Sequence, residues 1–413
     1  MKRRDFLTAA SALSVAGCAG SPTRERPRVL VIGAGFGGAT VAKYVRLWDP
    51  NISVMLVDRG EQLVSCPTSN LVLGGNRTMQ QITHPYEGLR KYGVQLLNGE
   101  AVALDPVRRT VTFGRGSVLT YDRLVLSPGV DFLDEIEGFA GQERILHAWK
   151  AGAQTVALRA QLEAMPDGGT FVLGVPLAPY RCAPGPYERA CQVAHYFKRA
   201  KPRSKIIVLD ANPDITSKAA LFRRAWQDLY PGMIEYRPSS AVVAVDAATL
   251  TARTEFEAVK ADVVNIVPPQ RAADIARNAG LVTTNRRWCD VDWRTLESKA
   301  VKGIHVLGDA TFAAPGMPKS AHMANAQAKV CAAALVELLN DREPNPAPLM
   351  SNTCYSFVSD REAIHVASVH QYDAAQDTLV PVRGAGGVSD ARSELEAQYG
   401  WSWARNIWAD TLG

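Results

Sequence analysis

The sequence lacks any long hydrophobic run after residue 26, so it predicts no membrane-spanning helix there. It also lacks basic runs interleaved with aromatic residues. Its net charge of +5 over 413 residues includes a basic N-terminus and is too small to indicate nucleic-acid binding. No CxxC pair, no histidine–cysteine spacing typical of a metal site and no CxxCH motif occurs. We therefore expect a globular chain with no metal site and no covalent haem of its own.

Residues 1–26 are predicted to be a leader rather than a segment of the fold. Residues 2–7 (KRRDFL) form a twin-arginine pattern, followed by a small apolar stretch too short to span a bilayer. Residues 15–18 (VAGC) resemble a lipoprotein box, so a lipid anchor on Cys18 and cleavage to a soluble protein both stay open. Either alternative predicts a periplasmic protein, in a compartment where disulfides persist.

Residues 29–58 have the pattern strand, glycine-rich turn (GAGFGG), helix and strand. Gly33 is expected to make the tight turn, Gly35 to admit a pyrophosphate to the backbone, and Gly38 to let helix and strand pack closely. The diphosphate would bind the N–H groups at the helix start, and Asp58 would bind ribose hydroxyls. This spacing predicts a dinucleotide-binding unit.

A second α/β region begins near Trp149 and keeps this layout without the glycine fingerprint. Its first strand leads into residues 174–182 (GVPLAPYRC), where prolines occupy the turn and the close-approach glycines are missing. A further βαβ unit begins near residue 205. We expect this region not to bind NAD(P)H in the usual manner, which disfavours an NAD(P)H-dependent reductase.

A buried strand near residue 304 ends on Gly308 and Asp309, and a helix follows. In flavoproteins with two dinucleotide-binding domains, an aspartate at this place holds the ribityl chain of FAD, so FAD is the predicted ligand. The predicted fold class is α/β, with two Rossmann-like domains in a disulfide-reductase-like arrangement and a small C-terminal α+β domain. An FAD-binding domain is predicted from two segments (27–148 and 269–343), with the second Rossmann-like domain (149–268) inserted between them and the C-terminal domain (344–413) after them.

The seven cysteines differ in their surroundings. Cys331 lies in an apolar helix and is expected to be a buried thiol. Cys191 and Cys289 are also expected to be buried thiols, with a bridge between them as the less favoured alternative. Apart from Cys18, the others lie in polar loops that contain proline or asparagine: Cys66, Cys182 and Cys354.

Several blocks of sequence carry a resemblance to a known family. Besides the glycine cradle they are SCPTSN (65–70), YRCAPGPYERA (180–190), GDA (308–310) with HMANAQ (322–327), NTCY (352–355) and NIWAD (406–410). With these motifs, nearly the whole mature chain resembles the flavoprotein subunit of flavocytochrome c sulfide dehydrogenase.

The resemblance implies that Cys66 holds FAD covalently and that Cys182 and Cys354 form a redox-active disulfide beside the flavin. An inert structural disulfide is the alternative. By the same resemblance Glu188 is a candidate proton acceptor for H₂S, with a capping or solvent-facing role left open. Two further residues are assigned to the cofactor site: Val102 and Met323.

The implied chemistry begins with hydrosulfide attacking one sulfur of the disulfide, which gives a persulfide and a thiolate. The electron pair ends on FAD, and a second sulfide removes the bound sulfur or extends it into a polysulfide. Nearby positive charge, such as Arg181, would stabilise the departing thiolate.

The family pairs this subunit with a separate c-type cytochrome, so a heterodimer with haem on the partner chain is expected, docked on the C-terminal domain. The alternatives are a sulfide:quinone oxidoreductase and a non-catalytic FAD-binding partner of a sulfur-oxidation system. Three tryptophans could serve as core, flavin cover or interface: Trp401, Trp403 and Trp408.

Overall fold

The computed structural model describes residues 26–413. The twin-arginine pattern and Cys18 lie outside these residues, so the leader and lipid-anchor predictions stay predictions. Among residues 26–413 no helix combines the length and the apolar character needed to cross a membrane.

The N-terminal third of the described chain forms the glycine cradle and the strands around it. Its elements are β1 Arg28–Ile32, α1 Phe36–Trp48, β2 Ser53–Asp58, β3 Gln62–Val64, α2 Ser69–Leu73, β4 Thr83–Pro85, β5 Gln95–Asn98, β6 Ala101–Asp105, β7 Thr110–Phe113, β8 Val118–Thr120, β9 Arg123–Leu126 and β10 Val130–Phe132.

The middle of the chain repeats the alternation of strand and helix. Its elements are α3 Ala153–Ala164, β11 Thr170–Val175, α4 Gly185–Ala200, β12 Lys205–Asp210, α5 Ala219–Leu229, β13 Ile234–Arg237, β14 Val242–Asp246, β15 Thr251–Thr254, β16 Ala258–Lys260 and β17 Val263–Ile266.

The remaining elements return to the first sheet and then build the C-terminal domain. They are β18 Gln270–Ala272, α6 Asp274–Asn278, β19 Val282–Thr284, β20 Trp288–Cys289, β21 Ile304–Val306, α7 Ala321–Leu339, β22 Leu349–Phe357, β23 Ala363–Asp373, β24 Thr378–Val388 and α8 Glu394–Leu412.

Two parallel sheets form the centres of the two Rossmann-like domains. The first has five strands in the order β21-β9-β1-β2-β5, and the second has four in the order β13-β12-β11-β17. Strands such as β1 (RVLVI) and β17 (VVNI) are β-branched and apolar because both faces of a parallel sheet are covered. Strand β21 comes from late in the chain, so the first domain is assembled from two separate segments.

The two domains are linked by β10 and β18, which pair antiparallel where the chain crosses between the sheets. The C-terminal domain is an antiparallel sheet in the order β22-β23-β24, with α8 packed on it. Helix α8 also reaches α1, where the Lys43 ammonium donates to the carbonyl of Ala409 at 3.0 Å. The predicted fold class, two Rossmann-like domains with a small C-terminal α+β domain, is confirmed.

Candidate active site

A cavity of about 610 Å³ extends from the glycine cradle to the meeting point of all three domains. Its walls include Gly35 at one end, and the side chains of Cys66, Cys182, Asp309 and Cys354 further along. The fold thus brings to one cavity five residues that are far apart in the sequence.

The cradle has the geometry that the glycine spacing predicts. A Cβ on Gly38 would lie 1.7 Å from the carbonyl oxygen of Gly33, so only glycine allows α1 to pack so close to β1. A Cβ on Gly35 would meet nothing within 4 Å, because the space in front of it is open for a diphosphate. Asp58 lines the same space and accepts a hydrogen bond from the Ala34 N–H at 2.7 Å.

Asp309 lies on the single turn after β21, and its buried Oδ1 has no hydrogen-bond partner among the described residues. An unpartnered buried carboxylate oxygen in the cavity wall fits a cofactor hydroxyl. Burial raises the pKa of Asp309, while Arg181 and Lys319 oppose that rise. Together with the open cradle, this acceptor makes the cavity suitable for FAD.

The two other predicted cofactor residues differ in position. Val102 on β6 is 47% exposed and lines the cavity. Met323 is 1% exposed, and its side chain is buried in the core of the first domain rather than in the cavity wall. Its neighbours His322 and Ala324 line the cavity instead.

Cys66 lies in a loop whose conformation the sequence does not reveal. Thr68 has a left-handed backbone (φ 70°), which costs a non-glycine residue roughly 1–2 kcal/mol. The loop then turns into the short helix α2, with the Ser69 hydroxyl donating to the Cys66 carbonyl at 2.7 Å. This turn places Cys66 in the cavity wall.

Cys182 lies just before α4 and is also left-handed (φ 61°). Its N–H donates to the Lys319 carbonyl, and its carbonyl accepts from the Gly185 N–H, each at 2.8 Å. A Cβ on Gly185 would lie 2.9 Å from the Cys182 sulfur, so glycine leaves room for that sulfur at the helix start. The positive end of the α4 dipole and the Arg181 guanidinium only partly offset the burial that raises the pKa of the Cys182 thiol.

Cys354 lies on β22, and its sulfur is 3.4 Å from Asn352 Oδ1. The structure records Cys354 and Cys182 as free thiols, and both line the cavity. Burial raises the pKa of both, and the neighbouring Cys354 and Glu188 raise that of Cys182 further. A disulfide between the two stays a prediction.

Glu188, in the first turn of α4, faces the cavity and is 7% exposed. Its carboxyl group accepts hydrogen bonds from Asn70 Nδ2 and from the Phe357 N–H, each at 2.8 Å. Burial raises the pKa of this carboxyl group. The solvent-facing alternative is therefore wrong, and a proton-accepting role stays a prediction.

Arg189 is a residue of the site that sequence reasoning missed. Its buried guanidinium donates to Asn70 Oδ1 at 3.1 Å, to Asn265 Oδ1 at 2.7 Å and to the carbonyl of Ala148 at 2.7 Å. It therefore ties α2, which directly follows the loop of Cys66, to the second domain. Its position inside the YRCAPGPYERA block was the only signal that could have found it.

The three C-terminal tryptophans have three different environments. Trp403 lines the cavity, with its ring centroid 6.1 Å from that of His322. Trp401 packs on Phe357, and Trp408 donates to the Ser65 hydroxyl at 3.0 Å. Only Trp403 among them reaches the cavity wall.

The remaining cysteines of the described chain are free and buried. The Cys191 sulfur accepts a hydrogen bond from Trp226 Nε1 at 3.2 Å within the second-domain core. Cys289 and Cys331 lie in the first-domain core. The Cys191–Cys289 bridge considered above is therefore wrong. Within residues 26–413 we find no group of three or more histidine, cysteine or acidic side chains placed to hold a metal ion.

In the second Rossmann-like domain, side chains of the domain itself occupy the position that corresponds to the open cradle of the first. Asp210, at the end of β12, is fully buried and accepts hydrogen bonds from the hydroxyl groups of Tyr187 (2.7 Å) and Tyr236 (3.0 Å). Asn212 donates to the same carboxyl group at 2.7 Å. This acid is satisfied within the protein, and the expectation that the domain does not bind NAD(P)H in the usual manner stays a prediction.

Three family models match the chain. They are "Sulfide dehydrogenase (flavocytochrome c) flavoprotein chain, central" over residues 155–268, "Flavocytochrome c sulphide dehydrogenase, flavin-binding" over 346–412, and "Pyridine nucleotide-disulphide oxidoreductase" over 27–173. The sulfide dehydrogenase (flavocytochrome c) flavoprotein chain of Chlorobaculum thiosulfatiphilum is 58% identical over 45 residues, which are 11% of this chain and 94% of that relative.

A longer alignment joins the chain to the mitochondrial sulfide:quinone oxidoreductase of Mus musculus. It has 22% identity over 307 residues, covering 68% of this chain and 65% of the mouse protein, slightly less than two thirds of its length. The chain belongs to the sulfide-oxidising flavoproteins.

The crystal structure of the sulfide:quinone oxidoreductase from Aquifex aeolicus has the same fold. It superposes with a TM-score of 0.78 at 19% identity and covers 93% of this chain and 91% of that one. The fold is that of the pyridine nucleotide-disulfide oxidoreductases, and the cofactor of this family member is FAD.

Proposed function

We propose that the protein is a sulfide dehydrogenase that oxidises sulfide through a Cys182–Cys354 disulfide and passes the electrons to a c-type cytochrome subunit. One observation carries this proposal. Two cysteines from different domains border the cavity that also contains the cradle and Asp309. A purely structural disulfide would have no need of a cofactor-sized cavity beside it.

The residues around the cavity have the properties that the reaction needs. Hydrosulfide attacks one sulfur of the disulfide, and the other sulfur leaves as a thiolate. Glu188, buried and hydrogen-bonded at both oxygens, accepts the proton when H₂S enters. FAD supplies the two-electron acceptor, and we propose that Cys66 holds it covalently.

A cytochrome partner is supported by the match of residues 346–412 to the flavin-binding model of flavocytochrome c sulfide dehydrogenase. The solvent-facing residues of α8 mix the polar Gln398, Arg405 and Asn406 with the exposed Leu395 and Tyr399, and such a mixed surface suits a protein partner better than a bilayer. We propose the C-terminal domain as the docking surface and the periplasm as the location.

The proposal is tested by anaerobic addition of sulfide to the purified flavoprotein. Cys182→Ser and Cys354→Ser should each retain the flavin spectrum, because neither removes the cradle, but should lose sulfide-driven bleaching by at least about 10²-fold. Cys191→Ser, which changes a buried thiol outside the cavity, is the matched control and should bleach normally. Near-normal bleaching in either cavity variant contradicts the mechanism and favours a non-catalytic FAD-binding partner.

Covalent attachment is tested separately with Cys66→Ala. We expect FAD to stay with the denatured wild-type polypeptide and to be released from this variant by acid or denaturant. Intact mass measured before and after denaturation reports the bond directly. Flavin that remains attached to denatured Cys66→Ala would show that another residue holds it.

A sulfide:quinone oxidoreductase is the second candidate, because the relatives aligned over most of the chain have that activity. The two candidates differ in acceptor. Sulfide-dependent turnover with a c-type cytochrome and a soluble quinone, measured side by side, separates them. Faster turnover with quinone would replace the cytochrome assignment while leaving the sulfur chemistry unchanged.

A further inference from the structure

Lys218 is a buried lysine that lies against the strand carrying Cys354. It directly precedes α5, has a left-handed backbone (φ 58°) and is 7% exposed. Its ammonium donates to the Ser356 hydroxyl at 2.8 Å and to the Cys354 carbonyl at 3.2 Å. A cation from the second domain is therefore fixed next to a cysteine of the C-terminal domain.

The titratable groups facing Lys218 come from every element packed around it. They are Cys354 on β22, Glu188 on α4, Cys182 before α4, and Glu396 on α8. Each of these groups is negative when ionised, so each favours the charged lysine. Burial lowers the pKa of Lys218 to about 8, which still leaves an ammonium at pH 7.

This cation does not act equally on the two thiols. Burial raises the pKa of Cys354, and Lys218 is the largest influence that opposes this rise. Burial also raises the pKa of Cys182, where Cys354 and Glu188 add to the effect, and Lys218 opposes it less than Arg181 does. The pair is therefore asymmetric, with the more favourable place for negative charge at Cys354.

We propose that Lys218 is a positioning residue that makes Cys354 the sulfur which leaves as a thiolate when sulfide attacks the pair. Hydrosulfide forms a bond to the Cys182 sulfur, and the Cys182–Cys354 bond breaks. Cys182 then carries a persulfide, and Cys354 carries the electron pair and the negative charge beside the Lys218 ammonium. The charge is the same on both sides, so HS⁻ needs no proton transfer. This inference rests on the proposed sulfide chemistry.

The test measures the two thiols themselves rather than turnover. Reduced, anaerobic holoprotein is treated with iodoacetamide between pH 6 and 10, and mass spectrometry of peptides gives a separate alkylation rate for each cysteine. In Lys218→Met the rate at Cys354 should fall about tenfold at pH 7, because an opposite charge close by shifts a pKa by one unit or more. The rate at Cys182 should change less.

Lys198→Met is the matched control. Lys198 lies on α4 and donates to the Leu229 carbonyl at 3.0 Å on an exposed surface. It should leave both rates as in the wild type. If Lys218 only braces the two domains, Lys218→Met will lower the thermal unfolding temperature while the Cys354 rate stays within twofold of wild type, and this outcome overturns the proposal.

If Lys218→Met does not fold, Lys218→Gln decides the question. It retains a side-chain donor for the Ser356 hydroxyl and the Cys354 carbonyl but removes the charge, so the rate at Cys354 should still fall severalfold at pH 7, and an unchanged rate overturns the proposal. Sulfide bleaching of the wild type is recorded in parallel. Absent bleaching with the predicted alkylation shift would contradict the proposed function alone, so the two failures are distinguishable.

Discussion

The two Rossmann-like domains share one layout and use it for opposite purposes. In the first, the end of the sheet is open: Gly35 faces free space, and Asp58 stands at its edge. In the second, the equivalent acid, Asp210, is buried under two tyrosines and an asparagine. The same fold therefore becomes a cofactor site or a packed support according to whether its own side chains occupy the ends of its strands.

The largest difference between the two domains is expected when a methyl group is added at one glycine of each. Gly38→Ala should cost more than about 4 kcal/mol, or prevent folding, because the new Cβ meets a backbone oxygen at 1.7 Å. Gly174→Ala in the second domain should cost only about 1–3 kcal/mol, because its Cβ meets the Ile266 side-chain end at 2.7 Å, which can shift. Urea unfolding of both variants measures the difference.

Gly35→Ala is the control for the cradle in the flavin-free protein. Its Cβ has open space, so the unfolding midpoint should stay close to that of the wild type. Equal losses in all three variants would mean that the close approach of α1 to β1 is not what makes Gly38 necessary.

Acid should destabilise the first sheet more than the second. His305 lies in β21 of the first sheet, whereas the four strands of the second contain no histidine. Burial lowers the pKa of His305 to about 4, although its Nδ1 contacts the Thr295 carbonyl at 2.8 Å. As the pH falls, His305 is therefore protonated in the unfolded chain at a higher pH than in the folded protein. The stabilisation is present above pH 6.5 and is lost as the pH falls toward 4, by up to about 3 kcal/mol.

His305→Asn retains a donor for the carbonyl and removes the titration. We expect its urea unfolding midpoint to depend less on pH between 6.5 and 4 than that of the wild type. The same acid slope in both proteins would assign the loss to other groups, of which the half-buried His147 is the first to test.

The smallest loss of stability is expected when one of the hydrogen bonds to Asp210 in the second domain is removed. Tyr187→Phe removes one of the donors to Asp210 and should cost about 1–3 kcal/mol in urea unfolding, with the flavin spectrum unchanged. Tyr196→Phe, also on α4, is the control and should cost less than about 0.5 kcal/mol. If Tyr187→Phe costs no more than this control, Asp210 does not depend on that hydroxyl.

Local patterns predicted the regions of the molecule that depend on neighbours in sequence. The two strands of the glycine cradle unit and the strand near residue 304 could be predicted directly, because apolar strand patterns and a tight turn are local properties. The cavity was reached only through the family resemblance, which brought Cys66, Cys182 and Cys354 together.

The rest depends on contacts between distant segments. The left-handed backbones of Thr68, Cys182 and Lys218 carry no sequence signal, since none is a glycine or an asparagine. The burial of Arg189 and Lys218 is equally hidden, because charged residues are ordinarily exposed. The turn of α7 directs His322 and Ala324 to the cavity and the Met323 side chain to the core, so the assignment of Met323 to the cofactor site stays a prediction.

Strand β22 supplies both Cys354 and the Phe357 N–H that holds Glu188, and it follows the cradle, Cys182 and Asp309 in the sequence. A nascent chain stopped before this strand already contains the cradle, Asp309 and Cys182. It has neither the Cys354 sulfur nor the Phe357 N–H that donates to Glu188. On the proposed mechanism, a chain cut short before β22 therefore has no reactivity toward sulfide, even though its cradle residues are all present.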